Sequence, residues 1–152
     1  MKTLLSALFC TVMLSPVYAQ GGSVDSAALL AKIQSDKKGI VEKSMSLTPD
    51  EAKNFWPLYD KFQRELAGPQ KEYTRAVLDY VAAEKSMTDA NAKRLAQQVL
   101  AANVAEAKLR ERHFSDVSKV LPGIKAARYA QIENKISAVH RFETAKAIPL
   151  AD

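Results

Sequence analysis

Residues 47–66, LTPDEAKNFWPLYDKFQREL, contain the clearest helix start in the chain and the pattern that decides its fold. Thr48 is the predicted N-cap, Pro49 occupies the first helical position, where a missing N–H costs nothing, and Glu51 completes a capping box. Apolar side chains then recur at steps of four and three: Phe55, Tyr59, Phe62, Leu66, Pro69, Tyr73, Ala76 and Tyr80. This spacing predicts one long helix with an apolar seam for partner helices.

A proline lies inside this predicted helix. Because Pro69 removes one i to i−4 hydrogen bond and clashes with the preceding turn, we expect a kink at Gly68-Pro69. If both halves stay helical to about Lys85, the helix is roughly 55 Å long at 1.5 Å per residue. A globular core does not need such length, so we expect an elongated molecule.

Three further helices are expected, at residues 24–45, from Thr88 to Leu121, and at residues 124–147. The first has the weakest pattern, is interrupted by Asp36-Lys37-Lys38-Gly39 and is expected to break at Gly39, whereas Thr88 supplies a second N-cap hydroxyl. The short connection at residues 84–87 makes the third helix antiparallel to the second. No stretch alternates apolar and polar residues with period two, so no sheet is predicted and the fold class is all-α.

The first nineteen residues match an export signal. Lys2 supplies the positive charge, residues 4–14 form an apolar stretch too short to span a bilayer, and residues 17–19 form a small-x-small cleavage site. We expect the mature protein to begin near Gln20 and to be periplasmic. That location offers no ready ATP, no reduced nicotinamide and no chromosome, which argues against nucleotide-driven and nucleic-acid-binding functions.

Composition narrows the function further. The chain has a formal net charge of +5, and loss of Lys2 with the signal leaves a mildly basic +4. Cys10, the single cysteine, lies inside the signal, so the mature protein is expected to carry no thiol or disulfide chemistry. A mature length of about 130 residues suits one domain, and no later segment is predicted to insert in a membrane. Because phosphate loops and nucleophile elbows are missing from the sequence, we predict no catalytic residue and no cofactor.

Two segments carry a family resemblance. Leu47-Thr48-Pro49-Asp50-Glu51 opens the long helix and Leu121-Pro122-Gly123-Ile124-Lys125 opens the last one, and both resemble the motifs of the Spy/CpxP superfamily of periplasmic helical proteins, also called LTXXQ-motif proteins. The likeness covers about residues 40–147, and residues 121–135 resemble an uncharacterised exported branch. Glu51 stands where the first motif has glutamine, while Pro122 and Lys125 replace threonine and glutamine in the second.

The resemblance implies an elongated, cradle-like antiparallel hairpin of about four helices that forms a homodimer. It divides the chain into a signal peptide (1–19), an N-terminal helix and linker (20–46) and a Spy/CpxP-like helical domain (47–148). Members of the family include ATP-independent chaperones, an inhibitor of an envelope-stress sensor kinase and zinc-responsive proteins. We therefore expect a non-catalytic, chaperone-like factor for unfolded or misfolded envelope proteins. Two alternatives stay open: a regulatory or sensor protein that docks on one folded partner, and a divalent-metal-responsive binder.

The long helix carries the candidate client-binding residues Trp56, Lys61, Arg64, Lys71, Arg75 and Leu78. The basic members fall on an outer stripe of the heptad pattern, whereas Glu65, Glu72 and Asp79 line another position. A basic stripe attracts acidic or unfolded clients by long-range steering, and Leu78 adds apolar contact. Solvation alone also explains these charges and is the simpler interpretation. Trp56 departs from the seam by one residue, which indicates an exposed or dimer-interface position.

Two histidine and carboxylate pairs occur at helical spacing, His113 with Asp116 and His140 with Glu143. Residues three apart share a helix face, so juxtaposed pairs could hold a divalent ion. Such spacing is common by chance, and the two Glu-x-x-His motifs of a di-iron bundle are missing. No metal ligand is therefore predicted.

Glu106 is an unexpected residue in the third predicted helix. It shares a face with the apolar side chains Ala102 and Leu109, where a buried charge would be costly. Either Glu106 pairs with Arg110 or this face is an open groove.

Overall fold

The structure is a computed structural model that describes residues 26–146 and 148–150. It contains four helices: α1 (Ser26–Met45), α2 (Pro49–Ala83), α3 (Asp89–Val120) and α4 (Gly123–Lys146). A 3₁₀ turn at Glu84–Ser86 joins α2 to α3, and no strand occurs in the described residues. The predicted all-α class with four helices is confirmed. The predicted export signal, residues 1–19, lies outside the described part of the chain.

The start of α2 is the predicted capping box. The Thr48 hydroxyl accepts a hydrogen bond from the Glu51 N–H, and the Glu51 carboxylate accepts one from the Thr48 N–H at 2.8 Å. Both predicted halves are helical, since α2 continues through Pro69 and ends at Ala83, slightly before the expected end. At 1.5 Å per residue, its 35 residues span roughly 52 Å.

The break in α1 lies at Asp36, within the predicted interruption at residues 36–39 but three residues before the expected position at Gly39. Asp36 has non-helical φ and ψ angles of −148° and 52°, and its carboxylate accepts a hydrogen bond from the Gly39 N–H at 2.9 Å. This is the geometry of an N-cap, so a second helical segment begins at Lys37. Gly39 permits the cap, because a Cβ at this position would collide with the Asp36 carboxylate.

α2 and α3 form the antiparallel hairpin that the short connection predicts. α3 begins behind Thr88, whose hydroxyl accepts a hydrogen bond from the Asn91 N–H, as expected for the second cap. The apolar seam of α2 faces α3, where Phe62 and Leu66 form a buried cluster with Leu109. The seam therefore makes the partner contacts that its spacing predicts.

α1 and α4 pack against each other and cover one half of the hairpin. The main buried cluster takes side chains from all four helices: Ile33, Val41, Met45, Phe55, Tyr59, Val117, Leu121, Ala126, Tyr129 and Ile136. We call this half of the molecule the four-helix body. Because α1 contributes three of these side chains, the N-terminal helix and the helices after residue 47 share one core.

The hairpin extends beyond the four-helix body. The α4 side chains His140 and Arg141 lie beside Gln70, Tyr73 and Asn103; α4 then ends at Lys146, and the hairpin itself continues to its tip at Glu84–Ser86. We call residues 74–102 the distal arm. Its fully buried residues are Ala76, Leu95 and Ala102. None of the helices in the described residues is both long and apolar enough to cross a membrane.

Candidate binding surfaces

A layer of polar side chains crosses the four-helix body, and every helix contributes to it. The Lys37 amine donates hydrogen bonds to Gln63 Oε1 and Glu133 Oε2, both at 2.9 Å, and the Gln63 amide donates to Glu133 Oε1 at 3.1 Å. The Tyr129 hydroxyl donates to the same carboxylate at 3.3 Å and lies 2.9 Å from His113 Nε2. Glu133 is buried, and these bonds satisfy its charge. These hydrogen bonds fix the positions of the four helices relative to one another along their axes.

His113 is a core residue of this layer. Its ring stacks on Phe62, with centroids 4.1 Å apart and planes 3° from parallel, and burial lowers its pKa to about 4. Because the Tyr129 hydroxyl donates its hydrogen bond to Glu133, its oxygen is left to accept one from His113 Nε2–H, which assigns the ring proton to Nε2. Burial also raises the pKa of Tyr129, with the Glu133 charge adding to the effect. Neither group therefore has a pKa suited to acid–base catalysis near neutral pH.

The two histidine and carboxylate pairs are engaged in other contacts. The Asp116 carboxylate pairs with Lys119 at 2.8 Å, and the Glu143 carboxylate pairs with Lys146 at 3.5 Å. In the described part of the chain, no group of three or more His, Cys, Asp or Glu side chains could hold a metal ion. His113 is buried in the core, where its ring packs against neighbouring side chains.

Glu106 is buried and paired, which decides between its two predicted alternatives. Arg110 Nη2 lies 2.7 Å from Glu106 Oε1, and Arg110 Nε donates to the same oxygen at 2.9 Å. Arg141 and the Ser137 hydroxyl of α4 lie 3.8 Å and 3.5 Å from that oxygen. The alternative in which Glu106 pairs with Arg110 is confirmed, and the pair also links α3 to α4.

The predicted client-binding residues occupy different parts of the surface. Trp56 is half-buried, packs on aromatic neighbours in α2, and has the Lys38 amine 5.1 Å from its ring centroid. Lys61 lies in the groove between α2 and α3, 3.9 Å from Glu65, and Arg64 lies beside the break in α1. These three residues belong to the four-helix body and do not form one patch.

Lys71, Arg75 and Leu78 are exposed together on the outer side of α2. They follow one another at steps of four and three, so they share a helix face. Leu78 is 63% exposed. Arg75 and Leu78 lie on the distal arm, and Lys71 lies three residues before it. Client binding by these residues stays a prediction.

The distal arm carries an apolar face that the heptad pattern did not reveal. We call it the arm face; it consists of Val77, Val81, Ala96 and Val99. Gln70 and Asn103, which precede it on the same faces of α2 and α3, border α4. The arm face is therefore the continuation of a surface that α4 covers in the body. Val81 is 42% exposed and Leu78 lies at the edge.

Glu51 and Lys125 meet in the structure. These are the two positions at which the resembled motifs have glutamine, one at the start of α2 and one in α4. The Lys125 amine donates to the Glu51 carboxylate and also to the Ser46 carbonyl at 3.1 Å. The lysine hydrogen bond, followed by the Thr48 N–H, lowers the pKa of Glu51. The two departures from the motif thus form one ion pair that joins α2 to α4.

A comparison with protein-family models, curated proteins and solved structures finds no match to the chain.

Proposed function

We propose that this protein is an exported, ATP-independent, chaperone-like factor that binds unfolded or misfolded envelope polypeptides on its distal arm. The observation that carries the proposal is the arm face with Leu78 at its edge. In this row Val81, Ala96 and Leu78 are exposed while Val77 and Val99 are half-buried, and neighbouring exposed apolar side chains are a typical contact surface of a protein. The family resemblance and the predicted export signal supply the location and the class of client.

The shape of the arm suits an extended, non-native client. Because Val81, Ala96 and Leu78 are exposed at the protein surface, a polypeptide bound over them keeps one side of its backbone in water, and its N–H and C=O groups need no partner on the protein. Each apolar side chain that becomes fully buried contributes about 1.5–3 kcal/mol before the cost of ordering the client. A few such contacts give weak, reversible binding without nucleotide hydrolysis. Lys71 and Arg75 beside the face attract acidic clients by steering.

Aggregation of a denatured model client tests the proposal. We expect the purified protein at stoichiometric ratio to suppress the aggregation of reduced α-lactalbumin, and the double variant Leu78→Gln/Val81→Gln to lose most of that activity. Ile124→Gln is the matched control, because Ile124 is 81% exposed at the start of α4, outside the distal arm. Wild-type protein that fails to suppress aggregation, or equal activity of both variants, would contradict the proposal.

Crosslinking separates this function from the regulatory alternative. A photo-crosslinking amino acid at position 81 should capture many envelope proteins in intact cells if the arm binds non-native clients. A single saturable partner would instead support docking on one folded protein. The same census with the crosslinker at position 124 reports the background.

The homodimer implied by the resemblance is part of the proposal. Its supporting observation is an outward row on α3, where Leu100, Val104 and Phe114 are 63%, 53% and 44% exposed. The row follows helical steps of four and three, with Glu111 interrupting it. We expect light scattering to give a dimer mass for the wild type and a monomer mass for Val104→Glu. A monomeric wild type would refute this part of the proposal.

A further inference from the structure

A groove of about 430 Å³ runs between α1 and α4 in the four-helix body. Its walls are aliphatic, with Leu29, Ile33 and Ile40 from α1 and Ile132, Ile136 and Val139 from α4. Ile33 and Ile136 are buried at its base, and the other four are half-buried along its sides. The groove is therefore a concave apolar surface, separate from the distal arm.

Polar residues interrupt the α1 wall of this groove. The positions one turn after Ile33, where an apolar side chain would extend the row, are occupied by Asp36 and Lys37. Here the Asp36 carboxylate caps Gly39 and lines a different cleft beside α2, while the Lys37 amine enters the polar layer. The α1 wall therefore skips from Ile33 to Ile40, a gap of two helical turns.

The charges around the groove are of one sign. Arg128 and Lys135 line it from α4, and no Asp or Glu of the described chain does so. Both cations are exposed, and neither forms an ion pair within the described residues. The remaining polar lining consists of Ser44 and Gln131, which are neutral. An apolar ligand with one negative group complements this surface.

The helical walls favour an alkyl chain over an extended peptide strand. Backbone N–H and C=O groups of α1 and α4 are paired within their helices, so a peptide strand inside the groove would leave its own amides without partners. An alkyl chain has no such groups. From Arg128 to Val139 the α4 wall is about 16 Å long at 1.5 Å per residue, which suits one chain. A flat bilayer surface cannot enter a concave groove.

We propose that the groove between α1 and α4 binds a single-chain anionic amphiphile of the fatty-acid class, with its carboxylate at Arg128 and its alkyl chain between the isoleucines. Ser44 lies at the same end of the groove as Arg128, because α1 and α4 are antiparallel. The opposite end, at Leu29 and Val139, is lined by apolar side chains and receives the methyl end. This site does not depend on the client-binding function of the distal arm.

Displacement of a fluorescent dansyl-undecanoate from the full-length mature protein tests the site. We expect laurate to displace the probe saturably. Arg128→Glu should weaken the affinity for laurate by roughly tenfold or more, because it replaces an ionic contact by repulsion. Removing two methylenes, from laurate to decanoate, should weaken binding by roughly tenfold. Lys108→Glu is the matched control, since Lys108 is exposed on α3 outside the groove. Circular dichroism checks that each variant is folded, and Arg128→Gln replaces Arg128→Glu if the latter is not.

Four outcomes would overturn the site. They are no displacement by laurate, equal affinity for methyl laurate, equal loss in the Lys108→Glu control, and binding to anionic phospholipid vesicles without binding to free laurate. The last result would mean that the cations contact a membrane surface. A half-buried wall residue gives an independent check: Ile132→Asn, which also loses some core packing, should weaken the binding of laurate in protein that circular dichroism shows to be folded. If laurate binds Ile132→Asn as tightly as the wild type, the chain does not occupy the groove.

Discussion

The four-helix body and the distal arm are built from the same two long helices and differ in what covers them. In the body, α1 and α4 bury large aromatic side chains such as Phe55 and Tyr129, and the polar layer joins all four helices. In the arm, the buried residues are Ala76, Leu95 and Ala102. Because apolar stabilisation scales with the area buried, the body contributes most of the folding free energy.

Folding stability and the exposed apolar surface therefore reside in different parts of the molecule, the first in the four-helix body and the second in the distal arm. A helix pair held at one end by a packed body can expose apolar side chains at its other end without losing the fold, since local stability need not be uniform along a structure. Substitutions in the body should therefore act on folding, and substitutions in the arm should act on binding.

The largest effect is expected for Glu133→Ala. The substitution leaves the Lys37 amine, whose side chain is 21% exposed, without its ionic partner, and removes acceptors for Gln63 and Tyr129. Breaking a buried ion pair from one side costs on the order of 3–5 kcal/mol. Urea unfolding followed by circular dichroism measures the loss. Glu111→Ala, an exposed position on α3, should change stability by less than about 0.5 kcal/mol.

A second substitution sharpens this test. Adding Lys37→Met to Glu133→Ala removes the unpaired charge, so the double variant should be more stable than Glu133→Ala alone. If Lys37→Met instead adds its own loss to that of Glu133→Ala, the two side chains are not energetically coupled and the polar layer does not organise the body.

The next effect is a loss of stability in mild acid. Below pH 6.5 the unfolded chain protonates His113, whereas the folded chain keeps the ring neutral until its pKa of about 4. Unfolding therefore becomes easier as the pH falls from about 6.5 to about 4, by up to about 3 kcal/mol, and no such change occurs above pH 6.5. The difference in unfolding free energy between wild type and His113→Gln, measured across this window, isolates the histidine. A pH-independent difference would place the ring outside the core.

The sequence predicts the elements whose signals are local. The caps at Thr48 and Thr88, the seam of α2 and the end of α3 at Leu121 all depend on neighbours within one or two turns. The break in α1 also depends on local residues, but a glycine is the more obvious helix breaker, so the sequence pointed to position 39. The break lies at Asp36 because its carboxylate caps the helical segment that follows. Glycine permits this geometry and does not cause it.

The contacts between distant segments could not be predicted in the same way. Gln63 and Glu133 look like solvated residues of amphipathic helices until the register of all four helices places them together. The Glu51 and Lys125 pair shows the same limit, since each residue alone is a departure from a motif and only the packing of α2 on α4 joins them. The arm face was missed because helix lengths do not show where α4 ends along the hairpin.

A smaller effect is expected at the break in α1. Asp36→Ala removes an N-cap hydrogen bond and should cost about 1 kcal/mol, while Asp36→Asn, which can cap as well, should cost much less. Thermal unfolding of the two variants gives the comparison. Equal losses for alanine and asparagine would show that the carboxylate charge, and not the cap, maintains the break.

The smallest effect on stability is expected for the arm variant Leu78→Gln/Val81→Gln. Both side chains are largely exposed, so their replacement should change the unfolding free energy by less than about 0.5 kcal/mol per site. Hydrogen exchange adds a second comparison within one molecule, because amides around Val81 should open locally and exchange faster than those around Phe62, which lie in the body. Uniform protection along α2 would mean that the arm is as stable as the body, and the exposed row would then have to be stabilised by a partner such as a second copy of the chain.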